Sequence, residues 1–367
     1  MEPNSNQGGG AVSDLAKWKV HGPVKTLKSE FAEWDLDRQD WQPANRIIVA
    51  SFNRDGTIST TDHHNPDGTI AHSRWFQDDA GRMIESQSWM NDGPIDKTVY
   101  VYDEGGRLIR TTYLDHNGSS REIEACSYDS DGRKTKVRFL PRHGADSECS
   151  ASGACGATTS YSIEGTDSAY GAPGATTMTV TYDEKNLPTK VLFHDANHQQ
   201  LGYLILRRDS AGRLISEEFH QGERSPLRDN LYDKAPLEER ERLAALFDSV
   251  LGNGFSSTTY GYDAEGRLVT RELRIGNLGG YSTIYRYVDR DEPVEETTEH
   301  RSREASLDET GNVRYSSDRI NVQHNQLECL YDAHANWIER IVSFRSESEP
   351  IFQRSNIERR TITYYPI

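Results

Sequence analysis

Residues 262–268 read Tyr-Asp-Ala-Glu-Gly-Arg-Leu, and the same step, an Asp or Asn followed three residues later by Gly, punctuates the chain from residue 53 onward. Its first residue falls at Asn53, Asn65, Asp78, Asp103, Asp115, Asp129, Asp209, Asp263 and Asp308, and copies without the Gly stand at Asp183, Asp195, Asp289 and Asp332. In a type I turn an Asp side chain at the first position caps backbone N–H groups, and Gly is favoured at the fourth. A Gly there takes positive φ and forms the bulge that lets a hairpin twist correctly. Thr258, Tyr260 and Tyr262 then fall on one face of the incoming strand, because side chains alternate with period two, and Leu268 and Val269 begin the return. Asn53 and Asn65 are 12 residues apart, Asp115 and Asp129 are 14 apart. One turn per strand at this spacing predicts an all-β chain folded as a long antiparallel sheet of repeated hairpins. The turn-defining pairs are Asp103 with Gly106, Asp129 with Gly132, Asp209 with Gly212, and Asp263 with Gly266.

The heptad Tyr-Asp-x-x-Gly-Arg-Leu, complete at Tyr102–Leu108 and Tyr262–Leu268, resembles the YD repeat of Rhs proteins, teneurins and the shell component of Tc insecticidal toxins. Tyr128–Arg133, Asp209–Leu214, Asp78–Met83 and Tyr331–Asn336 match it in part. The resemblance runs from about Phe52 to the C-terminus. It implies a hairpin sheet that curls or winds into a spiral, closed into a shell in the large members. Those members often end in a self-cleaving segment built around Asp-Pro-x-Gly, followed by a toxin. No such segment occurs here, so self-cleaving toxin release is not expected.

A chain of 367 residues exceeds the usual single core, yet no hydropathy shift divides it. A repeat stack resolves this, since each unit need only cover its neighbour. Mean hydropathy is −0.79, and 18 Tyr supply strand-forming bulk. The net charge of −16, from 58 acidic and 42 basic residues, argues against nucleic acid and against an anionic membrane surface. No apolar run is long enough for a membrane-spanning helix, and the first residues lack the basic and apolar regions of a secretory signal. The protein is then expected either to stay inside, to leave by a route that needs no such signal, or to have had the signal removed, with an extracytoplasmic or secreted bacterial location slightly favoured.

Residues 1–13 read as a disordered arm and 14–367 as a single hairpin-repeat domain. Trp18 to Trp34 suits either a first strand or a cap on the open end of the sheet. The repeats are interrupted by a Gly-, Ser- and Ala-rich loop at 141–176 and by an insertion at 222–256. In the second insertion Leu243, Leu246, Phe247, Val250 and Leu251 form one apolar stripe at helical spacing, the one amphipathic helix expected.

Cys126 and Cys329 sit two residues before a turn-opening Tyr, a position expected to be buried packing. Cys149 and Cys155 lie in the first loop, close enough to bridge if it folds back; a local disulfide and two free thiols both fit. His63 with His64 and His194 with His198 flank turns, where solvated histidines are the expectation and a metal site is not. The arginines after the turn Gly (Arg82, Arg107, Arg133, Arg213, Arg267) are expected to pair with acidic neighbours on the sheet. Neither a nucleophile elbow, a Walker loop, a dinucleotide fingerprint nor a His-Glu-x-x-His pattern occurs, so no cofactor, metal or catalytic residue is assigned. The expectation is a non-enzymatic binding or scaffold protein that presents its sheet surface to a protein or carbohydrate partner. The alternatives are a shell or accessory component of an Rhs-type toxin-export system, and a hydrolase whose site is assembled from distant residues.

Overall fold

In the computed structural model, which describes residues 14–139, 161–162, 169–170, 175–222, 256–288, 293–308 and 313–366, the hairpin steps close alike. At Asp263, the backbone N–H of Asp263 bonds to the carbonyl of Arg267 and that of Gly266 bonds back to Asp263. The Asp263 carboxylate accepts the N–H of Arg267 at 2.8 Å, and Gly266 stands at φ +86°. Asp103, Asp129 and Asp209 cap Arg107, Arg133 and Arg213 in the same way, with Gly106, Gly132 and Gly212 at positive φ. The copies without Gly at Asp183, Asp195 and Asp332 make the same turn, and the copy at Asp289 lies outside the described residues. Asn186, His198 and Ala335 occupy the left-handed region at φ 61°, 63° and 64°, held by the backbone pairs to Asp183, Asp195 and Asp332.

Successive hairpins are also fastened side by side. Arg107 donates to the Asp103 carboxylate at 2.7 Å, and its guanidinium lies 5.1 Å over the ring of Tyr128 in the next repeat. The Tyr128 hydroxyl donates back to the carbonyl of Leu108 at 2.7 Å. Arg82 with Tyr102, Arg133 with Tyr182, Arg213 with Tyr262 and Arg267 with Tyr287 repeat this arrangement. The tyrosine hydroxyls reach the carbonyls of Met83, Lys134, Leu214 and Leu268. The arginines thus pair with their own turn Asp and clamp the neighbouring repeat, which explains why Tyr, Asp, Gly and Arg recur as a set.

The sheet is closed into a barrel, and this corrects the expectation of a curled or spiral sheet. Consecutive strands pair antiparallel from Val24–Asp35 to Gln353–Tyr364, and those two strands pair with each other. Among the described residues twenty strands form the ring, while the short Asp40–Trp41 pairs only with Trp34 and Asp35. Thr26 faces Ser51 on one side and Thr363 on the other, so no long edge is left to pair with another chain. Trp18 to Trp34 is therefore not a cap on an open end; it supplies the start of the closing strand.

Because strands run alternately up and down, the steps at Asn53, Asp78, Asp103, Asp129, Asp183, Asp209, Asp263 and Asp332 share one rim. The steps at Asn65, Asp115 and Asp195 share the other. Facing residues are fixed across each pair of strands. One side of the wall carries Leu27, Ala50, Thr61, Cys126, Val137, Phe193, Leu204, Glu217 and Tyr260, all buried. The opposite side carries exposed ion pairs such as Arg138–Glu122, Arg207–Glu218, Arg286–Glu295 and Arg359–Glu339. In a closed sheet the shielded side is the interior. Two apolar clusters line it, one around Val191, Phe193 and Leu204 and one around Leu27, Ala50 and Phe52. Burying a side chain such as Phe193 stabilises by about 1.5–3 kcal/mol. Between the clusters the interior is polar: Thr283 bonds to Thr298, Gln323 to Asn325, and Tyr100 to Ser86. Eight strands suffice for wall side chains to fill a barrel, so a ring of about twenty leaves room for a lumen.

The helix described is the four-residue Asp14–Lys17. The stripe from Leu243 to Leu251, the Cys149–Cys155 pair and most of the 141–176 loop lie outside the described residues.

Candidate functional site

The N-terminal segment meets the last hairpin at the seam where the ring closes. Asp14 accepts the N–H of Ile58, and Trp18 packs edge-on against Phe52 with centroids 6.1 Å apart. Asn336, 1% exposed, holds the segment in place: its carbonyl accepts the N–H of His21 at 2.6 Å, and its amide donates to the His21 carbonyl and the Tyr364 hydroxyl. The Tyr364 hydroxyl donates to Asp332, and burial, reinforced by that carboxylate, pushes its pKa up to about 12. Tyr365 adds bonds to Pro23 and Phe52.

Inside this seam lies a cavity of about 340 Å³ bordered by Lys17, Trp18, Lys19, Trp337, Arg340 and Arg360, with Ser29 and Glu358 on its wall. The strand Trp337–Ser346 brings Arg340 opposite Glu358 of Gln353–Tyr364, and Arg360 stands opposite Ser29. Trp337 is 3% exposed. The guanidinium of Arg360 lies 3.3 Å from its ring centroid and that of Arg340 4.6 Å. Glu358 accepts from Arg340 at 2.9 Å and lies 3.5 Å from Arg360. One buried carboxylate thus holds two cations against an indole, an arrangement that fixes their direction.

Two other concavities are less enclosed by charge. A cavity of about 520 Å³ at the opposite rim is bordered by Ser73, Ser88, Met90, Pro94 and Asp96. There the Tyr113 hydroxyl donates to Asp96 at 2.6 Å, which holds the carboxyl below its usual range. On the outer wall a hollow of about 470 Å³ lies between Glu30, Arg359 and the loop carrying Trp41. The outer wall also presents His72, bonded to Asp62 at 2.7 Å and stacked on Trp89.

His63 and His64 are half-buried on the strand Ile58–His64, and His198 is an exposed turn residue. His194 has its pKa lowered by burial and by the nearby His198, so the neutral form is favoured. Among the described residues, His, Cys, Asp and Glu form no group of three placed to hold a metal ion. Cys126 is 9% exposed, and burial pushes its thiol up to about 12. Cys329, expected to be equally buried, is only half-buried.

The seam residues Trp18, Trp337, Arg340, Glu358 and Arg360 were not singled out by the sequence. The available signal was phase. Glu358 and Arg360 fall in step with Ile362 on the interior face, where charge has no place unless it is paired.

No family model matches the sequence, and no curated protein matches it. Among solved structures the chain is similar to TcdB2-TccC3-Cdc42, at 13% identity and a TM-score of 0.24 over 88% of this chain and 18% of that one. It is similar to the Photorhabdus luminescens Tc holotoxin pore at 13% identity and a TM-score of 0.25, over 83% and 16%. A porin-like protein from Bacteroides uniformis gives 8% identity and a TM-score of 0.31, over 94% and 99%. The chain thus spans less than a fifth of the two toxin chains, and all three superpositions are loose. The closed hairpin wall rests on this chain's own strand pairing.

Proposed function

We propose that the protein is a non-enzymatic binding and scaffold protein, a rigid hairpin barrel that presents its wall to a protein or carbohydrate partner. The observation that carries this is the use made of the repeated polar residues. The turn Asp caps N–H groups, the Arg pairs with it and covers a Tyr, and the Tyr hydroxyl bonds to backbone. Chemistry-bearing side chains that recur along the chain are thereby committed to stiffening the wall. A stiff wall loses little conformational freedom when a partner docks.

Closure favours a second reading, a shell or accessory component of a toxin-export system, because a ring with a polar interior can surround another chain. A purified toxin domain that co-elutes with the barrel and becomes protected from protease would favour it.

The binding role is tested by presenting the full chain to an array of immobilised carbohydrates and, separately, to purified candidate protein partners. The expected result is saturable binding that survives replacement of His63, His64, His194 or His198, one at a time, by Ala. Turnover of a bound polymer that one such replacement abolishes, with the melting midpoint unchanged, would instead establish a hydrolase.

A further inference from the structure

We infer that the hollow on the outer wall, between Glu30, Arg359 and the loop carrying Trp41, is a binding site for an uncharged sugar residue; this deepens the binding role proposed above and rests on it. The first support is that the loop departs from the repeat. The connection from Val24–Asp35 to Arg46–Phe52 is not a tight turn. It carries the first strand beyond Phe31, the last residue paired with Arg46–Phe52, and doubles back so that Trp34 faces Trp41 and Asp35 faces Asp40. The return is tied down: the N–H groups of Gln42 and Asn45 bond to the carbonyls of Glu33 and Phe31, each at 2.9 Å. A hairpin needs none of this. What the longer loop adds is a concavity of about 470 Å³, within the range of small-molecule sites.

The second support is the choice of polar groups. Asp40 spends one carboxylate oxygen on the N–H of Trp41 at 2.8 Å. Among the described residues its other oxygen and the Gln42 side-chain amide have no hydrogen-bond partner. Arg359 donates its Nε–H to Glu339 at 3.0 Å, and Glu30 pairs with Lys28 at 2.8 Å. A guanidinium has five N–H groups and a carboxylate about four acceptor positions, so both keep capacity for a ligand. Two acceptors, one donor and an amide that does both therefore border one hollow. A sugar hydroxyl donates and accepts at once and suits all of them. An anion would meet two carboxylates, and a cation would meet the guanidinium.

The third is an apolar surface held in place. Trp41 borders the hollow, and its ring meets that of Trp34 edge-on with centroids 4.8 Å apart. The Arg354 guanidinium lies 5.2 Å over the Trp34 ring. An indole fixed by its neighbours loses little rotamer freedom when a ligand arrives, and it offers the C–H face of a sugar ring an apolar platform.

The test is saturation-transfer NMR of the full chain with the methyl glycosides of glucose, galactose, mannose and N-acetylglucosamine, and with glucuronate as the charged comparison. Transfer to the ring protons of at least one neutral glycoside, with weaker transfer to glucuronate, is the expected result. Asp40→Asn keeps the cap on Trp41 but turns the free acceptor into a donor, and it should weaken binding of the best glycoside about tenfold. Gln42→Ala removes an exposed side chain and should weaken binding several-fold with the melting midpoint unchanged. No transfer to any neutral glycoside, equal or stronger transfer to glucuronate, or unchanged affinity in both variants would overturn the assignment. So would a protein partner that both variants release in the absence of any sugar binding, since the hollow would then be a protein contact. A chain that binds on the carbohydrate array with affinity unchanged in both variants refutes this site alone, whereas one that binds neither carbohydrate nor protein refutes the wider binding role too.

Discussion

A single backbone conformation, the left-handed fourth residue of the turn, is the smallest unit on which the wall depends. Gly266 holds it at φ +86°, and a Cβ built there would meet only Arg213 at 3.5 Å, an ordinary contact. The demand is therefore conformational rather than steric crowding. Gly266→Val should lower stability by about 2 kcal/mol, because a β-branched residue is disfavoured in this region. Exposed Glu265→Val should stay within about 0.5 kcal/mol of the parent in urea unfolding. The converse holds at Ala335, exposed and held at φ 64°. Ala335→Gly relieves about 1–2 kcal/mol of left-handed strain and gives back part of it as unfolded-state entropy, for a net gain of up to about 1 kcal/mol. A urea midpoint that rose for Ala335→Gly and fell for Gly266→Val would show one turn type at both sites. Equal shifts for Gly266→Val and Glu265→Val would contradict it.

At the scale of the hairpin, the turn carboxylates also set how the wall responds to acid. Asp103 and Asp129 are held below their ordinary value of 3.8 by the backbone N–H groups of Arg107 and Arg133 first of all, against the opposing effect of burial. Asp78 is held down chiefly by the side chain of Arg82. A carboxylate whose pKa is lower in the folded than in the unfolded state stabilises the fold above the unfolded value. That contribution is lost as pH falls from about 3.8 through the lower folded values. Urea midpoints measured from pH 6 downward should hold nearly level and then drop below about pH 4. Asp103→Asn should make the drop shallower. The hairpin is also the scale at which the sequence was most legible. Tyr-Asp-x-x-Gly-Arg-Leu names the cap, the left-handed residue, the clamp and the packing face in one run of seven. What it did not show was that Arg107 reaches Tyr128 of the next repeat, since the motif says nothing of which hairpin stands alongside.

For the whole molecule, closure is the property that the sequence concealed, and the reason is physical. Val24–Asp35 and Gln353–Tyr364 carry ordinary strand alternation, and a strand with a partner on each side looks the same as one at an edge. Only contacts such as Asn336 with His21, 315 residues apart, distinguish the two. The seam cavity was hidden for the same reason, because Trp18 comes from one end of the chain and Arg340 and Arg360 from the other. Asn336→Ala removes three bonds, two of them to the backbone of His21, so it should cost about 3 kcal/mol and appear as a lowered melting midpoint. An unchanged midpoint would mean that the seam contributes nothing to stability. Closure itself is read most directly by a covalent link across the seam. Thr26 and Thr363 are directly paired, with hydroxyls 2.5 Å apart, close enough for cysteines to bridge. In Thr26→Cys/Thr363→Cys, mild oxidation followed by peptide mapping should give an intramolecular 26–363 disulfide in nearly every monomer. Failure of that link to form, or its formation only between molecules, would contradict a closed barrel and restore an open sheet.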